Sequence, residues 1–215
     1  MSRPKASEAG RKPKKPVHFP PSAPHQVRII GGMWKRTPLA VLAANGLRPT
    51  PDRVRETVFN WLGYFFNARW DNISCLDLFA GTGAFGFEAA SRGAASVTLV
   101  ESSPPAVRQM EAVKDKLKAQ QLTIVAGDAM SAAQRLAQRG GGGFNVIFLD
   151  PPYHHDWLPK MLPACVALLA AQGMVYVEAE SALDGSAPPD WLEGWEVVRA
   201  DKAGAVYFHL LKRRS

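Results

Sequence analysis

Acidic residues end three successive apolar runs of the sequence, at Asp77, Glu101 and Asp128. Gly81 and Gly83 follow the first of these acids, and glycine allows the backbone to approach a ligand closely. If the apolar runs are parallel strands, the three carboxylates meet at one edge of a sheet, which is where such sheets bind their ligands. The spacing therefore predicts a nucleoside-binding site whose contacts are acidic.

Two nucleoside cofactors fit glycines at this spacing, and charge discriminates between them. A dinucleotide places its anionic pyrophosphate at the N-terminus of the following helix, where the Asp77 carboxylate would repel it. S-adenosylmethionine instead carries an ammonium and a sulfonium, which a carboxylate attracts. We therefore predict S-adenosylmethionine as the cofactor, with Glu101 accepting hydrogen bonds from the ribose hydroxyls and Asp128 reaching the adenine. The predicted cofactor contacts are Asp77, Phe79, Gly81, Gly83, Glu101, Ser102, Asp128 and Ala129.

A fourth apolar run, at residues 146–149, is followed by Asp150-Pro151-Pro152-Tyr153. An exocyclic amine on a nucleobase is a poor nucleophile because its lone pair is delocalised into the ring. The Asp150 carboxylate and the Pro151 carbonyl could accept hydrogen bonds from both N–H groups, in a turn that the paired prolines stiffen. Tyr153 could stack on the base. We therefore predict direct methyl transfer to a base amine, with Asp150, Pro151, Pro152 and Tyr153 as the catalytic residues.

Other reactive side chains carry weaker predictions. His154 and His155 could take a proton from the amine or contact phosphate, but two adjacent histidines do not by themselves predict a metal site. Cys75 and Cys165 stand in apolar surroundings, so we interpret them as reduced core residues. We predict no metal cofactor.

The positive charge is concentrated near the N-terminus. The net charge is +7, and residues 1–28 hold seven Lys or Arg against one Glu, while residues 29–60 hold five against two acids. Because cationic side chains bind polyanions by releasing counterions, we predict nucleic-acid contacts there, although a solubilising tail fits residues 1–26 equally well. The predicted RNA-binding residues are Arg28, Lys35, Arg36, Arg48, Arg53 and Arg55.

Arg55 differs from the others because, on a helical wheel, it falls inside an apolar arc between Val58 and Phe59. An unpaired charge there would be costly. We therefore expect a partner, which is either an acid of the core or an RNA phosphate.

Local patterns place these residues in an α/β chain. Residues 1–26 carry six prolines and predict a disordered basic arm. Residues 27–30 and 33–39 predict short extended segments around a Gly-Gly turn. Thr50 and Pro51 predict the start of a helix, with Thr50 as its N-cap.

From residue 73 onward, strand and helix patterns alternate. Buried strands are predicted at residues 75–79, 97–100, 122–125, 146–149 and 174–177, helices at 85–91, 105–119, 131–138 and 158–171, and a terminal hairpin at 196–199 and 205–211 around a turn at 202–204. The predicted fold class is α/β, a doubly wound, mostly parallel Rossmann-like sheet with a C-terminal antiparallel hairpin. The predicted domains are the arm (1–26), an RNA-contacting extension (27–72) and a catalytic domain (73–215).

The composition bounds the class of protein. A chain of 215 residues, 47% of them hydrophobic, can bury the core of one mid-sized domain. The basic N-terminus lacks a following apolar segment, and the most apolar stretch, at residues 162–177, contains Pro163 and Gly173. We therefore predict neither export nor a membrane span, and we expect a cytoplasmic monomer.

A family resemblance rests on the glycine loop, the Asp-Pro-Pro-Tyr turn and two further segments. Those segments are Arg28-Ile29-Ile30-Gly31-Gly32 and Arg48-Pro49-Thr50-Pro51-Asp52-Arg53-Val54-Arg55-Glu56. From residue 27 to residue 211, the chain resembles the bacterial 16S ribosomal RNA guanine-N2 methyltransferases of the RsmD family. The arm before residue 27 has no counterpart in the family's pattern.

The resemblance implies a seven-stranded methyltransferase sheet behind a small N-terminal extension, and a cytoplasmic location. It implies methylation of one guanine N2 amine in 16S ribosomal RNA, with a partly assembled small ribosomal subunit as the preferred substrate. It also implies that the acids and glycines named above hold S-adenosylmethionine, while residues 150–153 grip the base.

Three other functions fit parts of the pattern. A DNA adenine-N6 or cytosine-N4 methyltransferase would use the same amine chemistry, but such enzymes usually need a further target-recognition region, for which this chain has little room. A non-catalytic RNA-binding assembly factor would not need an intact Asp150 and glycine loop. An NAD-dependent oxidoreductase would share the glycines but would be disfavoured by Asp77.

Overall fold

The computed structural model describes residues 26–41, 50–140, 143–153, 155–185 and 187–214. The strands are β1 (Gln26–Arg28), β2 (Pro38–Ala40), β3 (Ser74–Asp77), β4 (Ser96–Glu101), β5 (Leu122–Ala126), β6 (Phe144–Leu149), β7 (Leu169–Ala179), β8 (Trp195–Ala203) and β9 (Val206–Arg213). The helices are α1 (Asp52–Phe65), α2 (Ala84–Ser91), α3 (Pro104–Leu117), α4 (Ala129–Gln138) and α5 (Trp157–Leu168), and a 3-10 turn covers Asp190–Leu192. The predictions for Arg48, His154 and the arm up to residue 25 lie outside the described residues.

Seven strands form the central sheet in the order β5-β4-β3-β6-β7-β9-β8. The first five of these run parallel, and β9 is antiparallel to both β7 and β8. The predicted doubly wound sheet with a C-terminal hairpin is therefore confirmed. The strand order reverses between β3 and β6, and ligands of such sheets bind beyond the carboxyl ends of the strands at that point.

Helices cover both faces of the sheet. Successive residues of a strand point to opposite faces, so the apolar strands expose hydrophobic side chains on both faces, and helices bury them. On β3, Cys75 belongs to a buried core with residues of α1, α2 and α3, whereas Leu76 belongs to a second core with residues of α4 and α5. The two cores hold β3 in place from both sides and thereby position the acid that ends it.

The segment before α1 docks against the C-terminal end of α2 through its backbone. The buried Glu88 carboxylate accepts hydrogen bonds from the N–H groups of Ile30, at 2.6 Å, and Gly31, at 2.8 Å. Gly32 has a φ of 74°, and a Cβ at this position would lie 1.9 Å from the carbonyl oxygen of Ser91. The Gly-Gly pair therefore permits a close approach to α2 as well as a turn.

The predicted boundary at residue 72 separates parts of the chain that share a core. Val27, Ile29 and Leu39 are buried with residues of the sheet, such as Phe148 on β6. The extension is therefore packed against the sheet, and its limits as a domain stay a prediction.

Two predictions near the N-terminus are wrong in their bounds. Residues 33–39 were expected to be extended, but Arg36 has a φ of 72° and its N–H donates to the carbonyl of Ile29. The chain therefore turns here, and strand pairing resumes at Pro38. Gln26, expected in the arm, pairs with Ala40 in the β1–β2 ribbon.

Two predicted boundaries in the C-terminal half of the chain also differ from the structure. The helix predicted to reach residue 171 ends at Leu168, because Leu169 pairs with Phe144 and sheet pairing outweighs the helix propensity of the alanines that follow. The hairpin turn lies at residues 204–205, since Ala203 still pairs with Val206. In the part of the chain that the structure describes, no helix is long and apolar enough to traverse a lipid bilayer.

Candidate active site

Acidic side chains gather at the carboxyl edge of the sheet, where the strand order reverses. Asp77 ends β3, Glu101 ends β4 and Asp150 directly follows β6. Because β3 pairs in parallel with both β4 and β6, these acids leave neighbouring strands at the same edge. The charges of Asp150 and Glu101 both contribute to a raised pKa of Asp77, behind the larger effect of burial. The structure thus brings together the acids predicted for the cofactor and for the amine.

The loop after β3 brings its backbone to this edge. Gly81 and Gly83 have φ angles of 54° and 77°, a region that favours glycine. A Cβ on Gly83 would lie 2.8 Å from the ring of Phe87, whereas a Cβ on Gly81 would meet nothing within 4 Å. The packing of α2 therefore requires glycine at position 83, while Gly81 borders open space that a ligand can approach.

Asp77 is 1% exposed, and neither of its carboxylate oxygens makes a well-aligned hydrogen bond within the described residues, although the backbone N–H groups of Phe79 and Gly86 lie close enough to lower its pKa. Burial, followed by the charge of Asp150, raises the pKa of Asp77 to about 8. Burial outweighs the backbone N–H groups near Asp77, so the charged form of this carboxylate is unfavourable, and a ligand ammonium would stabilise it. The surroundings of Asp77 therefore fit the cationic end of S-adenosylmethionine.

Glu101 is oriented by the loop backbone. Its two carboxylate oxygens accept hydrogen bonds from the N–H groups of Gly81 and Ser103, each at 2.7 Å. Each oxygen retains a lone pair, so Glu101 can accept further hydrogen bonds from ribose hydroxyls. The neighbouring Ser102 is exposed at the same edge.

The outer members of the predicted cofactor set are Phe79, Asp128 and Ala129. Asp128 is exposed, and its Oδ1 accepts a 2.9 Å hydrogen bond from the N–H of Ser131, which caps α4 and lowers the pKa of Asp128. Ala129 is the buried first residue of α4. Half-buried Phe79 contacts Trp157 edge to face, with 5.3 Å between the ring centroids. Trp157 was missed because no local pattern connects it with the glycine loop.

The turn that carries Asp150 is tied to the segment before α1. The Thr50 hydroxyl donates a 2.6 Å hydrogen bond to Asp150 Oδ2. The predicted role of Thr50 as the N-cap is wrong, because Pro51 occupies that position and no side chain caps the helix. Burial raises the pKa of Asp150. The Thr50 hydroxyl therefore stabilises the predicted catalytic acid instead of a helix end.

The rest of this turn is accessible on its outer side. Pro151 is buried, whereas Pro152 and Tyr153 are exposed. Partial burial and the nearby acids raise the pKa of Tyr153 to about 12. The Tyr153 ring is therefore neutral and reachable, as stacking on a base requires.

Four of the predicted RNA-binding residues are exposed, namely Arg28, Lys35, Arg36 and Arg53. Arg28 and Arg36 line a cleft of about 350 Å³ together with Asp52, whose Oδ2 pairs with Arg28 Nε at 2.8 Å. This cleft lies beside the start of α1, where Asp52 is two residues along the chain from Thr50, whose hydroxyl contacts the turn that carries Asp150.

The RNA contact predicted for Arg55 is wrong, because its side chain is fully buried. Its Nη2 donates to Asp52 Oδ1 at 2.6 Å and to the carbonyl of Arg28 at 2.9 Å. The acidic partner that was expected as the alternative is therefore Asp52, and Arg55 joins α1 to β1.

Glu178 is an acid of this edge that the sequence analysis missed. It lies near the end of β7, beside the strand that Asp150 follows, and it is 4% exposed. The rule that identified the other acids, a carboxylate directly after an apolar run, also applies to Glu178 after residues 174–177. That signal could have found it.

A family model described as conserved hypothetical protein 95 matches residues 27–212. The chain is 39% identical over 204 residues to ribosomal RNA small subunit methyltransferase D of Escherichia coli strain K12, which covers 94% of this chain and 96% of that protein. It is 34% identical over 194 residues to the protein of the same name from Haemophilus influenzae, which covers 88% of this chain and 95% of that protein.

A solved structure agrees with these relatives. The structure of yhhF from Escherichia coli matches with a TM-score of 0.71 and 34% identity, over 89% of this chain and 99% of that chain. The predicted family resemblance is confirmed: the chain belongs to the ribosomal RNA small subunit methyltransferase D family.

Proposed function

We propose that this protein is a cytoplasmic enzyme that transfers a methyl group from S-adenosylmethionine to the N2 amine of one guanine in 16S ribosomal RNA, within a partly assembled small subunit. The proposal rests on one observation: Asp77 and Asp150 lie at the carboxyl ends of neighbouring strands, β3 and β6. Asp77 is buried without a well-aligned hydrogen bond among the described residues, and Asp150 is partly exposed and held by Thr50. The relatives are, by name, methyltransferases of small-subunit ribosomal RNA.

Three residues would hold the cofactor. S-adenosylmethionine, when bound, supplies a methyl group on a positively charged sulfur. Asp77 would accept hydrogen bonds from its ammonium, Glu101 would accept them from the ribose hydroxyls, and Gly81 leaves the backbone open on the ligand side. These residues bind and orient, which is the main contribution that a direct transfer requires.

The Asp-Pro-Pro-Tyr turn would hold the base. The Asp150 carboxylate and the Pro151 carbonyl would accept hydrogen bonds from the amine and direct its lone pair toward the methyl carbon. Stacking on Tyr153 would add about 1 to 3 kcal/mol. The methylated amine must lose a proton, which the Asp150 carboxylate can accept. A stacked or paired guanine would first have to be extruded, at about a few kcal/mol.

The exposed arginines near the start of α1 would contact RNA phosphates. The Arg53→Ala and Arg36→Ala variants should each lower the slope of log K against log salt concentration by about one. Arg139→Ala is a matched control, because Arg139 is exposed after the last residue of α4, at the opposite edge of the sheet. An unchanged slope in the first two variants would remove those residues from the RNA surface.

Isotope-labelled S-adenosylmethionine tests the activity. Small ribosomal subunits from cells that lack this methylation should acquire the label as N2-methylguanosine, identified by mass spectrometry of the nucleosides. Parallel reactions with bare 16S ribosomal RNA and with DNA define the substrate. Label in N6-methyladenosine or in DNA would favour the DNA methyltransferase, and RNA binding without transfer to any substrate would favour an assembly factor. Calorimetry that detects NAD but not S-adenosylmethionine would overturn the cofactor assignment.

A further inference from the structure

Glu178 places a second buried carboxyl group next to Asp150. The parallel strands β6 and β7 pair Leu149 with Val177, so the residues that follow, Asp150 and Glu178, lie side by side at the carboxyl edge. Glu178 is buried, whereas Asp150 retains some exposure. By side-chain exposure the pair therefore consists of an inner acid and an outer acid, and the outer one is more accessible to a substrate.

Two hydroxyl groups lie at the pair, and that of Thr50 is close enough to both acids to lower the pKa of each. The Tyr176 hydroxyl donates to Glu178 Oε1 at 2.8 Å, and the Thr50 hydroxyl donates to Asp150 Oδ2 at 2.6 Å. Within the described residues, the groups that act on the pKa of these acids are each other and the same two hydroxyls. A hydroxyl can stabilise a carboxylate but carries no positive charge to balance it.

The other neighbours of the pair do not supply a cation either. Asp150 affects the pKa of Asp77 on β3, and both acids of the pair, together with Glu180, affect the pKa of Tyr153 after β6. On β9, Phe208 pairs with Glu178. The next residue, His209, points to the opposite face, where its Nε2 accepts a hydrogen bond from a backbone N–H. The charge of the pair is therefore not balanced by a base among these neighbours.

Two adjacent carboxyl groups in a buried site cannot both ionise without a large energetic penalty. Burial, followed by the charge of Asp150, raises the pKa of Glu178 well above the usual range of a carboxyl group. Glu178 therefore keeps its proton at neutral pH, and a protonated carboxyl is a hydrogen-bond donor. Asp150, the more exposed acid, can accept that hydrogen bond as the carboxylate.

We propose that Glu178 is a positioning residue of the methyl transfer, which shares one proton with Asp150 and holds the Asp150 carboxylate, as a single negative charge, toward the amine. Glu178 itself does not touch the substrate and acts through Asp150. The assignment rests on the proposed function, because it takes Asp150 to be the residue that receives the amine.

Titration of the protein alone tests the shared proton. The isotope-labelled side-chain carboxyl carbons are followed by NMR from about pH 4 to about pH 10, without cofactor or RNA. We expect two widely separated midpoints for the pair. Asp150→Asn removes a like charge, so the midpoint of Glu178 should move to lower pH. Glu178→Gln should remove the upper midpoint.

Tyr176→Phe is the matched control for the titration, since it removes a hydrogen bond but no charge. The bond from Tyr176 lowers the pKa of Glu178, so this variant should move the upper midpoint to higher pH. A Glu178 midpoint that stays in place in Asp150→Asn overturns the shared proton.

Methyl transfer to small ribosomal subunits tests the positioning role. Glu178→Ala removes the donor and should lower kcat about tenfold while KM changes less than about twofold. Glu178→Gln replaces the shared proton with an amide N–H and should restore most of kcat. The wild-type kcat should fall at the upper midpoint found by the titration, where the pair loses its shared proton, and Glu178→Gln should lack this fall.

Two outcomes separate the possible failures. A merely structural role would lower kcat and the melting temperature in both Glu178 variants and leave the pH profile unchanged, which overturns the positioning role. If wild-type protein transfers no methyl group to small-subunit RNA, the proposed function fails. In either case the NMR titration decides whether the pair shares a proton. It does not use Glu178→Ala, so it is decisive even if that variant does not fold.

Discussion

The outer and central parts of the carboxyl edge hold their acids in different ways. In the outer part, Glu101 and Asp128 accept hydrogen bonds from backbone N–H groups. In the centre, Asp77 makes no well-aligned hydrogen bond among the described residues, Asp150 and Glu178 lie next to each other, and burial raises the pKa of all three. Backbone donors stabilise a carboxylate within the protein alone, whereas the central acids need a ligand or a shared proton. The difference separates acids that the backbone already stabilises from acids that a ligand or a shared proton would stabilise.

Replacing a central acid on the amine side should have the largest effect. In Asp150→Ala, methyl transfer to small-subunit RNA should fall at least about a hundredfold, because the amine loses its acceptor. The affinity for S-adenosylmethionine should be kept or increase, since the charge of Asp150 contributes to the raised pKa of Asp77. Labelled transfer and calorimetry measure the two quantities, with the exposed Asp71→Ala as the control. Parallel loss of transfer and cofactor affinity would contradict the division of roles.

Replacing the central acid on the cofactor side should change binding and its pH dependence. Asp77 has a pKa of about 8 in the free protein and must ionise to pair with a cation. The wild-type affinity for S-adenosylmethionine should therefore rise as the pH approaches about 8 and then level off. Asp77→Asn should bind roughly tenfold to a hundredfold more weakly above that pH and lack this rise. Calorimetry across the pH range measures both, and an equal rise in the variant would exclude Asp77 as its source.

Of these five acids, Asp77, Glu101, Asp128 and Asp150 were found from the sequence because their signals are local, and the same signal would have found Glu178. An acid after an apolar run identifies a strand end, and the alternation of runs with helical segments predicts a parallel sheet. The partners of these acids were not predictable in the same way. Thr50 and Asp150 are separated by 100 positions, and the local pattern at Thr50 favoured a helix cap that does not form. The contact depends on how the segment before α1 docks on the sheet, which no short-range pattern reports.

The same docking explains why the sequence indicated that Arg55 is buried but did not identify its partner. The helical period correctly indicated that Arg55 is buried. Its partner, Asp52, also pairs with Arg28 from the preceding ribbon. The arrangement requires the ribbon and α1 together, so the sequence favoured an acid and an RNA phosphate almost equally.

The raised pKa of Asp77 should also make the free energy of unfolding of the cofactor-free protein depend on pH. A carboxyl whose pKa is raised in the folded state stabilises the fold at low pH, and this contribution is lost as the pH rises from about 4 toward about 8. Asp77→Asn lacks the loss, so it should become more stable than wild type with rising pH, by on the order of a few kcal/mol. Urea unfolding at several pH values measures the difference. A constant difference would contradict the raised pKa of Asp77.

An outer acid should behave in the opposite way, with the smallest effect. Asp128→Ala removes the hydrogen bond to the N–H of Ser131 that caps α4, which should destabilise the fold slightly. Asp128→Asn keeps a capping oxygen and should retain most of that stability. Since the capping bond lowers the pKa of Asp128, its stabilising effect is present above the usual carboxyl range and lost as the pH falls through the lowered pKa. Thermal unfolding of both variants tests this contrast. If Asp128→Ala instead weakened cofactor binding as strongly as Asp77→Asn, the outer acid would have to be placed with the central ones.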